Sequence, residues 1–181
     1  MDLTDMEPKW KQNKKWADKF TPLIKKIVGP LLLVETELKK EDAFEATDLF
    51  VLKLRDMRIA CRVRRYGFAE KYPDQFTIRS KLSSNIKTEL SKILIDGWGD
   101  WMFYGHSNVD ESDIPTWWVI DLTALRGHMI RNNYNGKLKI DKDISNGDGT
   151  FFWAFHINSF PVEPLLVIAS KRQRNMKGEF V

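Results

Sequence analysis

Thr47-Asp48-Leu49-Phe50-Val51-Leu52-Lys53-Leu54-Arg55-Asp56-Met57-Arg58-Ile59-Ala60-Cys61-Arg62-Val63-Arg64-Arg65 and, after a connection, Gln75-Phe76-Thr77-Ile78-Arg79-Ser80 decide the fold class. Three apolar runs in this stretch alternate with period two and fill their apolar positions with β-branched and aromatic residues, the pattern of strands. In the second run Ile59, Cys61 and Val63 share one face, and Ala60, Arg62 and Arg64 share the other. In the third, Phe76 and Ile78 oppose Gln75, Thr77 and Arg79. As neighbours in a meander these strands make a sheet with one oily side. The other side gathers Arg62, Arg64 and Arg79, with Asp48 at its rim. Like charges facing one another on a sheet are unfavourable. Such a cluster either takes an anionic partner or solvates an exposed antiparallel face.

Working outward, the 181 residues fit one compact domain that buries about 70% of its extended surface. A hydrophobic content of 43% with a mean hydropathy of −0.41 is that of a globular chain. No apolar run approaches the roughly 20 residues that span a bilayer. The acidic start Met1-Asp2-Leu3-Thr4-Asp5-Met6-Glu7 has no apolar signal core, and a lone Cys61 cannot form an internal disulfide. The expectation is a cytoplasmic protein with no membrane partner and with Cys61 as a small buried hydrophobe. A net charge of +4 and a pI near 9.1 are compatible with nucleic acid. Five of the seven tryptophans follow residue 97 and mix with basic residues, a composition that serves base stacking or a packed core.

In chain order, residues 8–33 read as a helical segment. Trp10, Trp16, Phe20, Leu23, Ile24 and Ile27 recur at spacings of three and four, Pro22 marks a kink, and Gly29-Pro30 a stop. An acidic connector leads through Glu45 to Asp48. A short helix carries Ile86, Leu90, Ile93 and Leu94, and Gly97-Trp98-Gly99-Asp100 ends it. Strands follow at Trp101–Tyr104 and Thr116–Leu122, then a helix over Thr123–Arg131, with Asp121 either a site carboxylate or, itself or through Thr123, the cap of that helix. Residues 132–148 read as loose, closing on the turn Asn146-Gly147-Asp148-Gly149. Phe151–Ile157 and Leu165–Ala169 are the last two strands before a basic tail at 171–181. The fold class is α/β: a mixed, largely antiparallel central sheet flanked by helices. It forms a single domain with its core over 35–131 and an extra C-terminal strand pair added over 144–170.

The order helix, meander opening at an Asp, helix, strand resembles the core of the PD-(D/E)XK, or restriction-endonuclease-like, nuclease superfamily over roughly residues 35–125. Thr47-Asp48-Leu49 looks like its first acidic element. Gly97-Trp98-Gly99-Asp100-Trp101 and Asp148-Gly149-Thr150-Phe151-Phe152 are similar to pieces of uncharacterised phage and mobile-element proteins with that fold. The resemblance implies a Mg²⁺-dependent endonuclease, with Asp48 as a metal ligand. Where the family carries an acid-x-Lys pair, this chain has Ala60-Cys61-Arg62 or Arg62-Val63-Arg64, and neither contains an acid. The second acid is then displaced to Glu89, alternatively Glu45, or lost. Arg62 stands in the place of the Lys and can stabilise phosphate charge without acting as a base.

Arg62, Arg64, Arg79 and Gln75 are the nucleic-acid-binding candidates on this reading. The implied partners are nucleic acid, DNA first, and a second copy of the chain in a homodimer. The competing reading is a non-catalytic protein-binding module or inhibitor encoded by a phage or mobile element. His106, His128 and His156 lack metal-ligand spacing, and no phosphate-binding glycine loop is present.

Overall fold

The computed structural model describes residues 9–32, 57–82, 87–135 and 137–171. Asp48, Glu45, the acidic connector, the strand expected at 49–54 and the tail beyond Lys171 lie outside them. The chain divides into two compact units, Met1–Met57 and Arg58–Val181. No helix among the described residues is long and apolar enough to cross a membrane.

In the first unit α1 (Lys9–Asp18) and α2 (Thr21–Leu32) are consecutive helices, as the proline at position 22 implies. Phe20, Ile24 and Val28 are buried at successive i, i+4 positions. Gly29-Pro30 does not stop α2, which runs through Pro30 to Leu32.

The second unit runs β1 (Ile59–Arg64), α3 (Phe68–Lys71), β2 (Gln75–Lys81), α4 (Glu89–Leu94), β3 (Trp101–His106), β4 (Thr116–Asp121), α5 (Leu122–Asn135), β5 (Ile140–Ser145), β6 (Phe151–His156) and β7 (Val167–Ser170). The class is α/β and the strand pairing is largely antiparallel. The strands form two sheets, β1-β3-β4-β7 and β2-β6-β5, and only β1 and β3 run parallel.

This corrects the expected meander. β1 and β2 are strands of separate sheets: β1 aligns six residues with β3, while β2 pairs with β6 from Gln75 to Lys81. The two C-terminal strands are likewise no pair. β6 joins β2, and β7 joins β4. The segment expected to be loose contains β5, whose hairpin with β6 turns at the expected Asn146–Gly149. Gly147 and Gly149 supply the positive φ values of 76° and 79° that this turn needs.

One apolar cluster lies between the two sheets. Phe76, Ile78 and Phe155 from the smaller sheet meet Met102, Tyr104, Trp118 and Ile120 from the larger, closed by Leu90, Ile93 and Leu125 of the helices. Phe76 stacks on Phe155 at 4.9 Å and meets Tyr104 edge-on at 6.3 Å.

This packing also turns part of β1 opposite to the expected sense, although Val63 is buried as expected. Ala60 packs against the cluster and Arg62 points the same way, while Cys61 is exposed. Although exposed by area, the Cys61 thiol has enough protein around it to raise its pKa through desolvation. The side of β1 that looked polar is the one roofed by β2. It tolerates Arg62 because the guanidinium donates through Nη1 to Thr77 O and Glu89 Oε2 there.

Candidate nucleic-acid interface

The residues named from the sequence separate into two neighbouring clefts. The larger is an open groove of ≈ 610 Å³ between β1, β2 and α4, lined by Arg58, Arg62, Arg79, Lys87, Glu89, Lys92 and Trp98 among others. Local structure explains each position. Thr88 caps α4 by accepting from Ser91 N at 3.2 Å, and Glu89 sits in the first turn, where a carboxylate suits the helix dipole. Gly97 and Gly99 have φ of 68° and 79°, and the turn they make projects Trp98 outward, 56% exposed. The Arg58 guanidinium lies 5.0 Å from the Trp98 ring centroid. The Arg58 backbone is pinned, its N–H donating to Asp100 Oδ2 at 2.8 Å and its carbonyl accepting from Asp100 N at 2.9 Å.

Arg62 already has partners inside the protein. Its Nη1 donates to Thr77 O at 2.8 Å and to Glu89 Oε2 at 2.9 Å, with side-chain exposures of 16% for Arg62 and 33% for Glu89. The same Glu89 oxygen accepts the Arg79 backbone N–H at 3.3 Å. Glu89 therefore ties β1 to β2, and Arg62 neutralises its charge. Lys87 is held by both oxygens of Asp96 at 2.9 Å. Arg58, Arg79 and Lys92 line the groove with no carboxylate partner among the described residues.

A resident Mg²⁺ does not fit what the described residues offer. The ion takes oxygen ligands from carboxylates and water. Glu89 is the single carboxylate lining the groove, and its Oε2 is already spoken for by a guanidinium and an amide. Among the described residues no three His, Cys, Asp or Glu side chains converge as a metal site. Glu89, expected as a catalytic acid and metal ligand, and Arg62, expected at phosphate, are instead each other's partners.

Arg64 and Gln75 line the second cleft, ≈ 310 Å³, with Phe68, Tyr72, Thr77, Tyr104, His106, Asp141 and Phe152. The three expected arginines thus do not share one wall. Arg64 leans over the Phe68 ring at 4.5 Å and lies 6.0 Å from Phe152. Desolvation lowers its pKa; the Tyr104 hydroxyl raises it and neighbouring Arg62 lowers it further. His156 Nε2 is 2.8 Å from Asp141 Oδ2 and 3.0 Å from Gln75 Nε2, while its Nδ1 faces Asp74 Oδ2 at 3.8 Å. The Thr77 and Tyr104 hydroxyls bond at 3.2 Å.

His128 bonds the Pro164 carbonyl oxygen at 2.7 Å and serves the fold. Asp121 accepts from Thr123 N and Ala124 N at 2.7 and 2.8 Å, which makes it the cap of α5. Sequence reasoning missed Trp98, Lys92 and Asp141 as site residues. The alternation Ile140-Asp141-Lys142 before a recognised turn was the available signal for Asp141.

No protein-family model matches the chain, and comparisons with curated proteins and with solved structures gave no match.

Proposed function

We propose that this protein binds a nucleic-acid strand, single-stranded DNA first, along the groove between β1, β2 and α4. The observation that carries this reading is the charge and ring content of that groove: Arg58, Arg79 and Lys92, with no carboxylate partner among the described residues, beside the exposed Trp98. Cations that lack partners and share one surface repel each other, and a polyanion relieves that repulsion. An exposed indole beside them offers a face on which any base can stack. The chemistry available from the described residues is positioning and charge neutralisation. Binding without cleavage is therefore the form of the reading adopted, with Arg62 and Glu89 holding the groove's two walls together.

The test is a titration of a fluorescent single strand by anisotropy at several salt concentrations. Three phosphate contacts at about 0.7 each predict a log–log slope near −2. Arg79→Ala should make it shallower by about 0.7, and Trp98→Ala should cost about 1–3 kcal/mol of binding at every salt concentration. Added Mg²⁺ should yield no cleaved product. A flat salt response in the wild type would remove the reading.

A further inference from the structure

The cleft around Arg64 has no role in the groove reading, and its contents point to a ligand. Its ≈ 310 Å³ lies at the small end of ligand pockets, which run about 300–1,000 Å³, so it suits one compact group rather than a peptide or a duplex. Part of the lining is aromatic. Phe68 and Tyr72, 6.4 Å apart with rings inclined by 24°, line the cleft together with Phe152. The Arg64 guanidinium lies against both Phe68 and Phe152 and has no carboxylate partner among the described residues.

The polar lining is mixed in kind. Gln75 and Asn146 bring amides, Thr77 and Tyr104 hydroxyls, and Asp141 an acceptor held in place by His156. A small inorganic anion would meet Arg64 but face the Asp141 carboxylate. Thr77 and Tyr104 bond each other, Gln75 meets His156 and Asn146 donates to Thr150, yet each keeps spare donor or acceptor capacity that an aliphatic group would leave unused. A flat heterocycle with donors and acceptors on its edge satisfies both the rings and the polar groups.

The cleft also adjoins the groove. Arg62 of the groove and Arg64 of the cleft lie two residues apart on one face of β1, about 7 Å along the strand. Thr77 is the partition: its carbonyl accepts from Arg62, and its side chain lines the cleft.

We infer that the cleft seats one unstacked nucleobase of the strand that the groove holds, against its aromatic lining of Phe68, Tyr72 and Phe152, with Arg64 beside the ring and Gln75 and Asp141 at its edge. This rests on the proposed strand binding. The groove neutralises the backbone, and the cleft takes one base out of it, which gives the protein a fixed register on the strand.

The experiment uses the full chain and a set of single strands, each with one abasic position, in the anisotropy titration. Wild-type protein should lose affinity about tenfold or more for the strand whose missing base belongs in the cleft, the size of one base–aromatic stack. Arg64→Gln and Phe68→Ala, both at partly open positions, should bind the intact strand about tenfold more weakly and no longer distinguish it from that abasic strand. Their salt slopes should stay close to wild type. If wild type binds every abasic strand like the intact one, the base seat is wrong while groove binding stands. If wild type binds no strand, the groove reading and the base seat both fall.

Discussion

Glu89 shows how a single side chain here sets both stability and affinity. Its carboxylate satisfies Arg62, which is largely covered, and the Arg79 amide. Removing it leaves a covered guanidinium with Thr77 O as its one remaining partner. Glu89→Ala should therefore destabilise the protein by about 1–3 kcal/mol, read from the urea midpoint. The same change releases Arg62 and deletes the one carboxylate among the described residues that line the groove, so strand affinity should rise and its salt slope steepen by about 0.7. A residue whose task was to hold a metal or move a proton would lose function on the same substitution. The residue types of this site were legible in the sequence: Arg62, Arg64, Arg79, Gln75 and Glu89 all line one of the two clefts. Their partnerships were not. Which arginine is spent on Glu89 depends on where α4 lands, 27 residues away in the chain.

At the scale of the element, β5 is the instructive strand. With apolar side chains at Ile140 and Ile144 alone, it gives period-two reasoning little to count. The pairing also slips between Asp141 and Ile144, where a bulge puts Asp143 at φ 54°. The bulge aims that carboxylate back across the sheet, where it accepts from Lys81 Nζ at 2.8 Å, Ser80 Oγ at 3.1 Å and Trp153 Nε1 at 3.2 Å. The Lys81 hydrogen bond first, then those of Trp153 and Ser80, hold the Asp143 pKa below its ordinary value. A depressed native pKa means the unfolded strand binds the proton more tightly. The stabilisation is thus complete above the ordinary carboxylate value of about 3.9 and is lost as pH falls through the lower native one. Amide exchange across β5 should accelerate in that acid window more than exchange in β4. Asp143→Asn should be less protected at neutral pH and lose that extra acid sensitivity. Equal acid responses in β5 and β4 would exclude the carboxylate as the strand's clasp. The elements that were legible, β3, β4, α5 and the Asn146–Gly149 turn, carry dense apolar patterns or glycines at positive φ. The sheet partners of β1 and β2 were invisible because alternation fixes faces and leaves neighbours open.

For the Arg58–Val181 unit as a whole, two sheets that share no backbone ladder depend on one apolar cluster. Phe76 lies at its crossing point, fully buried, stacked on Phe155 within its own sheet and edge-on to Tyr104 of the other. If that contact couples the sheets, neither can open alone without exposing the cluster. The slowest amides of β4 and β6 should then exchange at the same free energy, that of global unfolding. Phe76→Ala should lower both by one common amount, about 3–5 kcal/mol for a large aromatic removed from a packed core. Both clefts should weaken along with it, because Thr77, the partition between them, sits on the next residue of the same strand. Were β6 to lose protection while β4 kept it, the sheets would be separate folding units. The groove, with one wall from β1 and the other from β2, would then depend on the Arg62–Glu89 pair rather than on the core beneath it.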